Sequence, residues 1–172
     1  WTSKEDFFDE MRDWGLDPQS FKSTEFRELS LIHPDDVVTT AKSHRIAYRI
    51  VERGTDEHCI DQGFKKMALD AGATIHYKSK VDRSECMIIA AGPKDTSAIA
   101  FGEVFKTSYP NHVAFQLNDK LAPGAYSYLI VIDGIGLICT CLWRKQKNSN
   151  RYLNETIAWY ENAYPELDRE PI

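Results

Sequence analysis

Asp133-Gly134, set between two long apolar runs, constrains this chain more than any other pair of residues. Ala125–Ile132 precedes it and Ile135–Trp143 follows it. A two-residue type I′ turn needs positive φ at both central positions. Asp-Gly meets that need cheaply, with a twist that matches the flanking strands. The arms are rich in β-branched and aromatic residues, so the region is predicted to be an antiparallel hairpin inside a larger sheet.

Further strands are predicted on both sides. Ala98–Thr107 and His112–Leu117 flank a turn at Tyr109-Pro110-Asn111. Upstream, Glu25–His33, Val37–Thr40 and Arg45–Glu52 alternate or carry β-branched residues around Pro34-Asp35-Asp36, which predicts antiparallel sheet with one face covered. Helical spacing appears three times. Phe7, Phe8, Met11 and Trp14 follow a capping-box spacing at Thr2/Glu5 or Ser3/Asp6, with Gly15 as the stop. Ile60, Phe64, Met67, Ala68 and Ala71 place a helix over about Asp56–Ala71, ended by Gly72. Leu153, Ile157, Tyr160 and Tyr164 predict a helix beginning near Asn150 and stopped by Pro165. Ala73–Lys80 and Glu85–Ala91 are predicted as strands after the second helix, which together give a β-α-β-like crossover. The fold class expected is α+β: a multi-stranded antiparallel sheet with one crossover unit and flanking helices.

The expected organisation is a single compact region over 1–172. Within it, 45–93 is a crossover unit, 20–44 and 94–145 are antiparallel sheet, and 149–164 is a terminal helix. A chain of 172 residues with 42% hydrophobic and 12% aromatic content can bury a real core. Its 21 basic and 26 acidic residues are mixed along the chain and give a net charge of −5. No basic stripe follows a phosphate backbone, so a nucleic-acid partner is not expected. No apolar run reaches the ~20 residues needed to span a bilayer.

Cys59, Cys86, Cys139 and Cys141 form no C-x-x-C pair. Cys139 and Cys141 would share one face of a strand, a poor clamp for zinc. Reduced packing cysteines in a cytoplasmic protein are the simpler reading. The five histidines show no ligand spacing, so no metal site is expected. His112 and Asp119 would support acid–base chemistry only if they meet in space. No catalytic residue is assigned.

Three segments carry a resemblance. Arg53 is followed by Asp61 and then by Ala68-Leu69-Asp70-Ala71-Gly72-Ala73. Met87-Ile88-Ile89-Ala90-Ala91-Gly92-Pro93 comes next, and Pro123-Gly124-Ala125-Tyr126-Ser127-Tyr128-Leu129-Ile130 lies downstream. In this order they resemble the interior of FAD-dependent oxidoreductases of the p-hydroxybenzoate hydroxylase type, in the geranylgeranyl reductase-like branch, over roughly Leu29 to Trp143. The chain begins at Trp1 and ends at Glu170-Pro171-Ile172, and is expected to be a fragment of such a protein. The family's Gly-x-Gly-x-x-Gly turn is not in this sequence, nor is its later Gly-Asp segment, and its usual Asp-Gly is here Ala91-Gly92.

The resemblance implies that the long sheet is a substrate-binding domain forming a wall over a flavin. Pro123, Gly124, Tyr126 and Tyr128 would then lie nearest the substrate, and Arg53, Gly92 and Pro93 near the FAD. The cofactor would carry the hydride while the protein positions an apolar, isoprenoid-like substrate. FAD belongs to the parent protein, and this chain alone is expected to bind none and to be inactive. Its partners would be the small apolar substrate, the parent's nucleotide-binding segments, and other copies of itself; a membrane-peripheral site suits such a substrate. Plainer readings stand beside these: Arg53 as a surface charge, Gly92-Pro93 as a strand-ending turn, and Tyr126 and Tyr128 as sheet packing. The rival to the flavoprotein reading is a stand-alone α+β module that holds an apolar ligand without redox chemistry.

Overall fold

A computed structural model describes residues 6–92 and 96–172. Pro93 and the proposed caps at Thr2, Ser3 and Glu5 lie outside the described residues. The class is α+β, with three α-helices, one two-stranded sheet and one seven-stranded sheet among the described residues. Where the sequence suggests a single region, the chain clusters into two compact units: Trp1–Glu25 with Arg45–Lys94, and Phe26–His44 with Asp95–Ile172.

The first unit holds α1 (Phe7–Asp13), strand β4 (Tyr48–Val51), α2 (Ile60–Asp70) and all but the last residue of strand β1 (Ser23–Phe26), which pairs with β4. The Asp6 carboxylate caps α1 by accepting from Phe8 N at 2.8 Å, which satisfies one of the helix's free N–H groups. The helix stop at Gly15 stands as expected, with φ of 75°. Phe8 and Phe21 meet edge to face at 5.9 Å, and Phe21 lies 6.0 Å from Phe64 of α2. Gly63 allows that approach, since a Cβ there would stand 2.8 Å from the Ser20 carbonyl oxygen. The Arg49 guanidinium lies 3.8 Å from the Phe8 ring centre and pairs with Asp6 and Glu25. Asp6 is held below the usual carboxylate range: burial opposes this, but the Arg49 and Phe8 hydrogen bonds outweigh it.

The crossover expectation fails after α2. Residues 73–80 and 86–92 form turns and irregular chain, with one 3-10 turn at Arg83–Glu85. Met87 and Ile88 are 99% and 84% exposed. Strand preference is realised through packing against neighbours, and no described strand pairs with either segment.

The second unit is built on the seven-stranded sheet. Its strands are β2 (Glu28–Ile32), β3 (Val38–Lys42), β5 (Ile99–Lys106), β6 (His112–Gln116), β7 (Ser127–Ile132), β8 (Ile135–Leu142) and β9 (Glu170–Pro171). They lie in the order β3-β2-β6-β7-β8-β5-β9. All neighbours are antiparallel except β2 and β6, so the sheet is mixed rather than purely antiparallel. The Asp133-Gly134 turn closes β7 on β8 as expected, with φ of 49° and 84°.

Helix α3 (Ser149–Ala163) covers one face of this sheet. Leu153, Ile157 and Tyr160 of α3 pack on Ile32, Phe105, Ala114, Leu129, Val131 and Ile138. Each of the largest of these side chains contributes roughly 1.5–3 kcal/mol by leaving water. Ile138→Ala, at a site with no exposure, would cost about 2–5 kcal/mol. The segment after α3 returns to the sheet. There Asp168 accepts from Thr107 Oγ1 at 2.7 Å and from Ser108 N at 2.9 Å, and Arg169 pairs with Glu161 and Glu103.

Candidate ligand-binding face

An antiparallel sheet with one covered face ordinarily turns polar side chains outward on the other. In the second unit this does not happen. β7 reads Ser-Tyr-Leu-Ile-Val-Ile, and the pairing register sorts it. Ser127, Leu129 and Val131 align with Thr140, Ile138 and Gly136 on the α3 side. Tyr128, Ile130 and Ile132 align with Cys139, Leu137 and Ile135 on the opposite side. β6 adds Val113 and Phe115 to that second face, and β5 adds Ala100, Gly102 and Val104. The face is apolar from strand to strand, yet Tyr128, Ile130 and Leu137 are only half-buried, and Val104 and Ile135 are exposed.

An aromatic cluster marks one end of it. Phe115 meets Tyr126 at 5.9 Å and Tyr128 at 6.1 Å, and the two tyrosines stand 6.2 Å apart. Tyr126 is held by a clamped loop. Gly124 takes φ of 83°, and its N–H donates to Asp119 Oδ1 at 2.8 Å. The Arg144 guanidinium donates to the other oxygen of Asp119 at 2.8 Å. The Pro123 carbonyl accepts from the amides of Trp143 and Arg144, and the Tyr126 carbonyl accepts from Cys141 N. Leu121, Ala122 and Pro123 are buried, and Tyr126 emerges 42% exposed. Pro123 and Gly124 therefore shape the loop, while Tyr126 and Tyr128 carry the surface.

Cys139 and Cys141 lie on the same face, beside these tyrosines. The Cys139 thiol is drawn down to about 7, because the Cys141 thiol, then the Tyr128 hydroxyl and the Phe101 backbone amide, favour its anion against the cost of burial. Burial and the adjoining Cys139 push the Tyr128 hydroxyl up. Cys141 is pushed up by Cys139 and by burial. The sequence alone assigns these thiols to packing. Their i, i+2 spacing was the available signal, and the register that sets Tyr128 beside them was not readable.

His112 and Asp119 do not meet. His112 opens β6 and packs on Tyr109 and Tyr164, with Nε2 3.4 Å from the Tyr164 hydroxyl. Burial lowers its basicity. Asp119 lies beyond the other end of β6, committed to Arg144 and Gly124. The acid–base pairing is set aside on this ground.

In the first unit, the Arg53 guanidinium makes a two-pronged ion pair with Asp61, both bonds 2.7 Å, and Gly54 N donates to the same carboxylate at 2.9 Å. The Arg53 hydrogen bond, followed by that of Gly54, draws Asp61 down to about 2. Gly92 has φ of 73° and open space where a Cβ would stand. Arg53 is charge-neutralised and Gly92 brings no second chain close. Neither forms a phosphate cradle, which needs several backbone amides converging beside unpaired positive charge. As placed among the described residues, Arg53 and Gly92 do not by themselves fit the phosphates of FAD.

No group of three or more potential metal ligands occurs among the described residues. No described helix is long and apolar enough to cross a membrane. Compared with known protein families and curated proteins, the chain matches no family model and no curated sequence.

Proposed function

We propose that the second face of the seven-stranded sheet binds an apolar, isoprenoid-like ligand. In this reading the chain supplies the substrate side of a FAD-dependent oxidoreductase, is not competent alone, and relies on other segments of a parent protein for its phosphate cradle. The carrying observation is the apolar, partly exposed face of β5 to β8 with Phe115, Tyr126 and Tyr128 clustered at one end. Such a surface favours a flexible hydrocarbon over a polar substrate, because burying apolar area is its main source of affinity. Pro123 and Gly124 set the loop, and Tyr126 and Tyr128 contact the ligand. The free thiols fit a reducing compartment.

A second reading is favoured by the Arg53–Asp61 pair. A guanidinium already matched to a carboxylate does little for a dinucleotide, which supports an α+β module that holds the same apolar ligand without flavin. Calorimetric titration of geranylgeraniol, in detergent-free dispersion, into the full chain tests the ligand common to both readings, and no binding defeats both. Sedimentation of the full chain separates them: concentration-dependent self-association supports the flavoprotein reading, whose apolar docking surface lacks its parent segments, and a monomer or one defined dimer supports the module.

A further inference from the structure

Cys139 and Cys141 are two thiols on one strand face with a hydroxyl beside them, a combination that the apolar-ligand reading does not use. Consecutive same-face residues of a strand stand about 6.6 Å apart along it. A disulfide needs its Cβ atoms at ~3.8 Å, so direct bonding would distort β8. An atom held between the sulfurs removes that conflict. A linear two-coordinate ion spaces its sulfurs by about twice the ~2.3 Å of a metal–thiolate bond, which same-face thiols reach by rotation about χ1 alone.

We propose that Cys139 and Cys141 form a two-thiolate site for a soft monovalent cation of the Cu(I) class. The ligand set selects the ion. Thiolates prefer soft cations, and zinc wants four ligands in a tetrahedron, whereas no cluster of three or more donors exists among the described residues. Two thiolates and one Cu(I) give a bis-thiolate complex of charge −1, so any proton still on either thiol is released on binding. Tyr128 is the cross-strand partner of Cys139, and its hydroxyl would offset that charge in apolar surroundings. Gly102 stands opposite Cys139 and Ala100 opposite Cys141, so no bulky side chain from β5 overhangs the sulfurs. Cys141 is only partly buried and gives the ion its way in.

The test is anaerobic Cu(I) titration of the full chain carrying C59S and C86S, against bicinchoninate as competing chelator. One Cu(I) per chain is expected, with an X-ray absorption spectrum showing two sulfur neighbours and no others. Adding C139S or C141S should each weaken binding at least 100-fold. Tyr128→Phe, which keeps the ring, should weaken it several-fold. No binding to the C59S/C86S chain, binding that survives C139S or C141S in a folded protein, or a three- or four-coordinate spectrum would overturn the proposal.

Discussion

The Phe105 ring lies directly over Gly136, its neighbour across β5 and β8, with ring carbons 2.3 Å from where a Gly136 Cβ would stand. The glycine is required by that contact rather than by its backbone angle. Phe105 has no exposure and belongs to the core under α3, so its ring cannot swing into solvent. Gly136→Ala should force the ring or the strand to move and cost about 1–3 kcal/mol. Denaturant unfolding at neutral pH reads this directly. A midpoint equal to wild type would show that the ring relaxes freely.

The Arg53–Asp61 pair makes a pH prediction. Asp61 titrates at about 2 in the folded chain, against 3.8 for the unperturbed group. Its contribution is therefore present above the unperturbed value and lost as pH falls toward 2. Asp61→Asn removes that contribution. The difference in melting temperature between wild type and variant should be constant above pH 5 and shrink between pH 4 and 2. A difference that grows on acidification would contradict the assignment.

Beneath α3 the register aligns Gln116, Ser127 and Thr140 across three strands. Gln116 Oε1 accepts from Ser127 Oγ at 3.2 Å, and Thr140 Oγ1 donates to the Leu121 carbonyl at 2.9 Å. Thr156 Oγ1 on the helix is buried with no protein partner. Replacing a buried hydroxyl that makes no bond is close to neutral or stabilising. Thr156→Val should change stability by between zero and about +1 kcal/mol. Its loss of stability by more than about 1 kcal/mol would mean that the hydroxyl is bonded, most simply to a buried water.

The hairpin, the three helices and the strands β2, β3 and β5 to β8 of the second unit were legible because each carries its own local signal, whereas β9, two residues paired at the sheet edge, carries none. Asp133-Gly134 is a turn in sequence and in structure, and the Leu153, Ile157, Tyr160 stripe faces the core. The parallel pairing of β2 with β6 was not legible, since residues about 84 apart meet there, as in Ser30 with Ala114, and periodicity carries no partner information. Met87-Ile88-Ile89 misled because an apolar run signals a strand only when a neighbour accepts its ladder. For the candidate face, Tyr126 and Tyr128 could be named from sequence. Phe115, Cys139 and Cys141 join them only through register, which decides which residues of β6 and β8 stand beside Tyr128.

The central claim is that an apolar ligand occupies the sheet face opposite α3 in the second unit. It is tested most directly by photo-crosslinking the full chain with a benzophenone-bearing geranylgeranyl analogue and mapping the labelled peptides by mass spectrometry. The account predicts labels on β6 to β8, concentrated at Phe115, Tyr126 and Tyr128. It also predicts that Tyr126→Ala, at an exposed position, lowers labelling at least threefold while the chain stays folded, with a melting temperature lowered only by the loss of its two ring contacts. Labels spread evenly over the surface, or confined to the exposed Met87-Ile88-Ile89 segment, would contradict it.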